Sequence, residues 1–138
     1  MVLGDCNSAV DLDILKPNKV KTIISIGLEA KPNKNKVPEE ITHHVYDIHD
    51  NKQQKLPIEL IDEVVAIIED GRKRGGVLIH CYAGVSRSST FTIAYIMNKK
   101  KLSYDKAKEK AKKYRPCVHP GDGFVRQLQF YEKVLAKR

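Results

Sequence analysis

The sequence has no tryptophan, three phenylalanines, two methionines and only three cysteines in 138 residues. So few cysteines, odd in number, exclude a disulfide scaffold, and their spacing contains no zinc-binding pair. No apolar run approaches the roughly 20 residues that cross a bilayer, and the first residues resemble neither a signal peptide nor a myristoylation site. We therefore expect a soluble intracellular protein, cytoplasmic and also a candidate for the nucleus.

Hydrophobic residues make up 41% of the chain and charged residues 30%, which is typical of a globular protein. A chain of this length can bury one core, so we expect a single domain over residues 1–138. Lysine and arginine number 25 against 17 acidic residues, a net charge of +8. This charge favours anionic partners, which include phosphorylated protein, nucleic acid and acidic lipid, and does not choose among them.

Hydrophobic periodicity predicts alternating strands and helices in the first part of the chain and helices alone in the last part. Apolar or alternating runs predict strands at 2–3, 22–27, 44–48 and 77–81. Helical spacing predicts four helices. The first begins at Pro57 and closes at Gly71 and the basic residues after it, and the second begins at about Ser88. The third begins at Ser103 and has Tyr114 in its apolar stripe, and the fourth runs through Phe124. We therefore predict an α/β fold with a central, mostly parallel sheet of about four to five strands, flanked by helices on both faces.

The segment with the clearest chemistry is His80 to Ser88, which reads His-Cys-Tyr-Ala-Gly-Val-Ser-Arg-Ser. It lies where a buried strand ends and a helix begins, a junction that binds anions through backbone N–H groups and the helix N-terminus. That field favours the thiolate form of Cys81, which is the nucleophilic form. The planar guanidinium of Arg87 can hold two oxygens of a tetrahedral anion.

This segment resembles the catalytic loop of the dual-specificity branch of the protein tyrosine phosphatase superfamily, the cysteine-dependent phosphatases. The resemblance covers most of the chain from about Ile48 and includes 76–79, 94–97, Arg115-Pro116 and 120–124 with Gln127-Leu128. One departure is Gly121, where the family commonly has asparagine. The resemblance implies a protein tyrosine phosphatase-like fold and hydrolysis that needs no metal and no cofactor.

The resemblance also implies a role for each site residue. Cys81 is the nucleophile, Arg87 binds the phosphate oxygens, Ser88 assists the departing sulfur, and His80 supports the loop structurally. Asp50, 31 residues before the cysteine, is the expected general acid, with Asp47 as the less favoured alternative. The expected substrate-binding residues are those of the loop: Tyr82, Ala83, Gly84, Val85, Ser86 and Arg87.

The function that follows is metal-independent hydrolysis of phosphotyrosine and phosphoserine or phosphothreonine in proteins, through a cysteinyl-phosphate intermediate. The alternatives are a phosphatase for a phosphoinositide, an RNA 5′ end or a glycan, and a pseudophosphatase that binds phosphoprotein without turnover. Tyr82, Ala83 and Val85 are uncharged, whereas relatives that act on phosphoinositides tend to have lysine in the loop. We expect a phosphorylated protein substrate, with kinases and other signalling proteins as candidates, no nucleic acid, no membrane, and a monomer.

Two further features leave alternatives open. The stretch from Lys99 to Arg115 contains nine basic residues and only two acidic ones, so it is either a solvated helical surface or a docking face for acidic or phosphorylated partners. Cys6 and Cys117 raise the question of whether a second thiol traps an oxidised Cys81 as a disulfide. The sequence alone places neither of them near the loop.

Overall fold

The computed structural model describes residues 1–138, apart from the side chain of Lys34, and contains one four-stranded parallel sheet. Its strands are β1 (Val2–Gly4), β2 (Val20–Ile26), β3 (Thr42–Tyr46) and β4 (Gly76–His80), in the spatial order β1-β4-β2-β3. The α/β class and the parallel sheet are confirmed. The third predicted strand lies two residues too late, and the fourth ends one residue earlier than predicted, so Asp47 and Cys81 both lie in loops.

Five α-helices surround the sheet: α1 (Leu12–Leu15), α2 (Ile58–Arg74), α3 (Arg87–Lys100), α4 (Tyr104–Ala111) and α5 (Asp122–Ala136). Three short 3-10 segments cover Ser8–Val10, Leu28–Ala30 and Lys34–Lys36. Within the part of the chain that the structure describes, no helix combines the length and the apolar character that a bilayer crossing requires.

Two predicted helix details are wrong. Gly71 lies inside α2 rather than closing it. The helix packs so closely on the sheet there that a β-carbon would lie 2.9 Å from Thr22 Oγ1 and 2.8 Å from Val77 Cγ2, so the glycine serves close packing and not a helix end. Tyr114 lies beyond the end of α4 and is 44% exposed, so it does not belong to that helix's buried stripe.

The two faces of the sheet are covered differently. Alternating residues such as Ile24 and Ile79 face the main core, which α2, α3, α4 and α5 complete. On the opposite face, Ile23 and Leu78 belong to a smaller cluster with residues from the short segments 8–15 and 37–41. The four longer helices therefore lie on one face of the sheet. Helices were predicted on both faces, and the opposite face is covered only by short segments such as 8–15 near the N-terminus.

The parallel arrangement brings three loops to one edge of the sheet. Parallel strands have their carboxyl ends at the same edge, where α/β proteins bind ligands. The segments that follow β2, β3 and β4 begin at Gly27, Asp47 and Cys81. Glu29, Asp50 and Cys81 are therefore brought to the same edge of the sheet although they are far apart in the sequence.

Candidate active site

The loop between β4 and α3 turns its backbone carbonyl groups outward. The carbonyls of residues 82–86 all accept hydrogen bonds from donors outside the loop. In residue order the donors are the Cys6 N–H, the Arg115 guanidinium, the Cys117 thiol, the His119 N–H and the Thr90 N–H. In a trans peptide the N–H points opposite to the preceding carbonyl. The N–H groups of residues 83–87 therefore face the centre of the loop, and none of the hydrogen bonds described for this chain uses them.

Gly84 makes this turn possible. Its φ of +73° is left-handed, and a β-carbon there would lie 2.8 Å from the Gly4 carbonyl oxygen and 2.9 Å from Arg115 Nε. A side chain would meet both backbone strain and a close contact at this position. Together with the N-terminus of α3 at Arg87, the inward N–H groups form a cradle for a tetrahedral anion.

The Cys81 side chain lies at the start of this cradle, 2% exposed. Its Sγ is 3.3 Å from the Oγ of Ser88, in the first turn of α3. The hydroxyl is within reach to donate a hydrogen bond to a thiolate at this sulfur. The two residues are seven positions apart in the sequence, and the loop folds back to bring them together.

Arg87 is 5% exposed, and only one nitrogen of its guanidinium, Nη1, has hydrogen-bond partners among the described residues. Its Nη1 donates to Glu29 Oε1 at 2.7 Å and to the Ile48 carbonyl oxygen at 2.8 Å. The hydrogen bond from Arg87 holds the pKa of Glu29 below its usual value. The Nε of Arg87 is buried and has no protein partner among the described residues. Nε and Nη2 form the guanidinium edge that binds two oxygens of one anion, and this edge is left for a ligand.

His80 is buried and joins a chain of polar side chains behind the loop. Its Nε2 lies 2.6 Å from Ser25 Oγ, which lies 2.8 Å from His43 Nε2. Its Nδ1 lies 3.4 Å from the Cys81 carbonyl oxygen, which can only accept, so Nδ1 carries the proton and Nε2 accepts from Ser25. Burial lowers the pKa of His80 to about 4, so the ring is neutral near pH 7. This arrangement fits the supporting role that the family resemblance implies for His80.

The Asp50 carboxylate lies at the rim of the same loop. It is exposed, two residues after the Ile48 carbonyl that Arg87 binds. A β-carbon at Gly121 would lie 3.8 Å from Asp50 Oδ1 and 3.6 Å from Ser86 Oγ. The alternative acid, Asp47, is exposed and pairs with His49 Nε2 at 3.5 Å. The geometry therefore favours Asp50 over Asp47 as the acid.

Gly121, the departure from the family pattern, contacts the loop through its backbone. Its N–H donates to Ser86 Oγ at 2.9 Å. A brace between the segment before α5 and the catalytic loop is therefore present without an asparagine side chain.

The segment that carries Asp50 is tied to α5 by Gln127. The Gln127 Oε1 accepts from the Leu56 N–H, and its Nε2 donates to the Gln54 carbonyl oxygen at 2.9 Å. The Gln54 side chain in turn accepts from the His49 N–H at 2.8 Å, next to Asp50. This network links the position of Asp50 to α5, because Gln127 lies 71 residues after Leu56 and 73 residues after Gln54.

Replacing Gln127 by leucine should lower kcat roughly tenfold for substrates with poor leaving groups, because a loosened segment misplaces the acid. An aryl phosphate whose leaving group needs no proton should be hydrolysed almost normally. The measurement is kcat over a leaving-group series, with Gln53→Leu as the matched control because the Gln53 side chain is exposed and has no partner among the described residues. A uniform loss across the series would show that Gln127 acts on something other than proton transfer.

The sequence did not single out Glu29, Ser25 or His43 as site residues. It pointed to Gln127 only as part of the motif that resembles the phosphatase family. Glu29 begins a polar stretch of the sequence, and such stretches usually form surface loops without a role in a site. The available signal was its position three residues after β2, at the edge where the carboxyl ends of parallel strands meet.

Cys6 and Cys117 both contact the catalytic loop. The Cys6 N–H donates to the Tyr82 carbonyl oxygen at 2.9 Å, and Cys117 Sγ lies 3.9 Å from the Gly84 carbonyl oxygen. All three cysteines are free thiols. These contacts place both residues beside the loop, and the redox question stays open.

The comparisons with known proteins agree on one family. The family model described as dual specificity phosphatase, catalytic domain, matches residues 1–134. The chain is 36% identical over 133 residues to dual specificity protein phosphatase 22-B of Danio rerio. The aligned residues are 96% of this chain and 70% of that protein. The crystal structure of human DUSP28 superposes with a TM-score of 0.88 at 26% identity, covering 99% of this chain and 93% of that one.

Other relatives are much longer than this chain. A MAP kinase phosphatase with leucine-rich repeats of Dictyostelium discoideum is 36% identical over 137 residues, 99% of this chain but 19% of that protein. A probable dual specificity protein phosphatase of the same organism is 36% identical over 129 residues, 94% of this chain and 32% of that protein. The chain thus spans a third or less of these relatives. The matched residues, the fold and the loop agree that the chain belongs to the family of dual specificity phosphatase catalytic domains.

Proposed function

We propose that this chain is a dual-specificity protein phosphatase that hydrolyses phosphotyrosine and phosphoserine or phosphothreonine through a cysteinyl-phosphate intermediate. The observation that carries the proposal is the cradle around Cys81. Inward N–H groups and the unpartnered Nε edge of Arg87 surround a buried sulfur. This arrangement suits three equatorial phosphoryl oxygens, with the nucleophile below them.

In the first step the Cys81 thiolate attacks phosphorus and forms an S–P bond while the P–O bond to the substrate breaks. Arg87 and the loop N–H groups stabilise the charge on the three phosphoryl oxygens. Asp50 donates its proton to the departing oxygen, which leaves as a phenol or alcohol. The products of this step are the free hydroxyl, cysteinyl phosphate and the Asp50 carboxylate.

In the second step the Asp50 carboxylate removes a proton from water, whose oxygen attacks phosphorus as the S–P bond breaks. Ser88 Oγ, 3.3 Å from the sulfur, donates a hydrogen bond to the thiolate that forms. Inorganic phosphate is released, and Cys81 and Asp50 return to their starting protonation states.

The substrate class rests on the family and on the loop. Tyr82, Ala83 and Val85 bring no charge to the pocket for additional phosphate groups. Relatives named MAP kinase phosphatases support phosphorylated kinases as candidate substrates of this chain. We place the protein in the cytoplasm, with the nucleus as a further candidate, as an extension of the same proposal.

The test is phosphate release with a metal chelator present, from phosphotyrosine and phosphothreonine peptides, a phosphoinositide and an RNA 5′-triphosphate. We expect turnover of both peptides and little of the other two. Activity only on a non-peptide would keep the chemistry and replace the substrate class. Phosphopeptide binding without any turnover would identify a pseudophosphatase.

Replacing Asp50 by asparagine should lower kcat for phosphopeptides by about 10²- to 10³-fold, because the leaving oxygen departs without a proton. The measurement is kcat for phosphopeptides, with Asp47→Asn as the matched control. If Asp47→Asn shows the larger loss, the acid is Asp47.

A further inference from the structure

A basic groove lies away from the catalytic loop, over the C-terminal half of α3. Helix α3 packs against both α2 and α4. The groove has a volume of about 700 Å³, which is within the range of ligand-binding clefts. Its lining residues are Glu69, Arg72 and Lys73 of α2, Tyr95, Ile96, Lys99 and Lys100 of α3, and Lys110, Lys113 and Tyr114 from α4 and the turn after it.

The charge of this groove is strongly one-sided, with six basic residues and one acidic residue. The acid, Glu69, accepts a hydrogen bond from the Tyr95 hydroxyl at 2.7 Å and lies 3.9 Å from Lys99 Nζ. Among the residues that the structure describes, no carboxylate pairs with Lys100, Lys110 or Lys113. These three exposed ammonium groups give the cleft a positive field that attracts anionic ligands.

The apolar parts of the groove decide the class of ligand. Tyr95 and Ile96 form a floor that is 5% and 6% exposed, and Arg72 covers the Tyr95 ring at 5.6 Å. Only Tyr114 offers an open ring, which is too few for the stacking platform of a single-stranded nucleic acid. A flat bilayer would reach the rim lysines and not the recessed floor. The charge of the groove matches an acidic peptide, and the exposed Tyr114 ring offers a contact for an apolar side chain of that peptide.

We propose that this groove docks an acidic segment of the substrate protein while the phosphorylated residue occupies the Cys81 loop. This inference rests on the proposed protein phosphatase function. Lys99 lies twelve residues after Arg87 on α3, which is about 18 Å along the helix axis. An extended chain covers about 3.3 Å per residue, so at least about six residues must separate the two bound parts of the substrate.

The first experiment measures binding to the groove directly and does not depend on turnover. The probe is a fluorescein-labelled peptide of about twelve residues, rich in glutamate with two leucines, in the presence of inorganic phosphate to occupy the catalytic loop. The groove variant combines Lys100→Ala, Lys110→Ala and Lys113→Ala. The matched control combines Lys16→Ala, Lys21→Ala and Lys137→Ala, three lysines that are exposed elsewhere on the surface.

We expect the groove variant to bind the probe at least about tenfold more weakly than the unmodified protein, with the loss growing at low salt, and the control to change little. Both variants should hydrolyse a short phosphotyrosine peptide at the normal rate. Equal weakening in both variants would overturn the groove as a site. So would groove-dependent binding of phosphatidylserine vesicles or of a short single-stranded RNA that is tighter than binding of the peptide.

The second experiment connects the groove to catalysis. A phosphotyrosine peptide carries the acidic segment on a Gly-Ser linker of about twelve residues, and its partner carries glutamine in place of glutamate. The acidic peptide should have a KM about tenfold lower, because docking raises the effective concentration of the phosphotyrosine. The advantage should vanish with a three-residue linker or in the groove variant. Equal KM values would overturn docking of substrate, whereas absence of turnover with every peptide would instead contradict the proposed function.

Discussion

Cys81→Ser should abolish hydrolysis, with kcat falling by on the order of 10⁴-fold or more, as for loss of a nucleophile in other enzymes. A serine hydroxyl is not ionised near pH 7, and among the described residues no carboxylate or imidazole is hydrogen-bonded to the side chain at position 81. The described partner of the sulfur is the Ser88 hydroxyl, and the His80 ring nitrogens face Ser25 and the Cys81 carbonyl oxygen. Oxygen cannot replace sulfur as the nucleophile under these conditions.

The measurement is single-turnover release of the leaving group together with phosphate binding by calorimetry. Phosphate binding should be retained in Cys81→Ser because the backbone N–H groups of the loop and Arg87 remain. Cys6→Ser and Cys117→Ser are the matched controls, and both should keep most of their activity. Turnover by Cys81→Ser at more than about a thousandth of the normal rate would overturn the cysteinyl-phosphate mechanism.

Arg87→Lys should lower kcat/KM by about 10³-fold although the positive charge is kept. Arginine uses Nη1 to hold Glu29 and the Ile48 carbonyl oxygen while its Nε edge faces the phosphate. A lysine ammonium is a single point and cannot do both. The loss should be larger in kcat than in KM, because the two hydrogen bonds are strongest when charge develops on the equatorial oxygens.

A comparison with Glu29→Gln separates charge from geometry at this site. Glutamine can still accept from Arg87, so the guanidinium stays in place and the activity should fall by about tenfold or less. Arg74→Lys is the surface control, since Arg74 pairs only with Asp70 among the described residues. The measurement is kcat and KM, by steady-state kinetics, for Arg87→Lys, Glu29→Gln and Arg74→Lys. Similar losses in Arg87→Lys and Arg74→Lys would contradict a ligand-binding role for Arg87.

The catalytic loop could be predicted because its determinants are contiguous. A buried strand, a glycine that tolerates a left-handed turn, and a cysteine and an arginine six residues apart all lie within residues 76–88. The four strands and the four longer helices followed similarly from local periodicity, whereas the one-turn helix α1 was not predicted. The errors came where packing overrides local preference. Gly71 lies inside a helix that packs too close to the sheet for a side chain, and Tyr114 lies beyond the end of its helix although its spacing fits.

Local order along the chain was enough to predict the fold class and the family, and to single out Cys81 as the proposed nucleophile and Arg87 as the proposed phosphate ligand, because each depends on neighbouring residues. Only the tertiary structure brought Glu29 to Arg87 across 58 residues, tied the Asp50 segment to Gln127 and gathered lysines from separate helices into one groove. These contacts depend on strand order, on register and on the direction of each side chain across a packed interface. Those quantities are set by the whole core at once, and no short window of sequence encodes them.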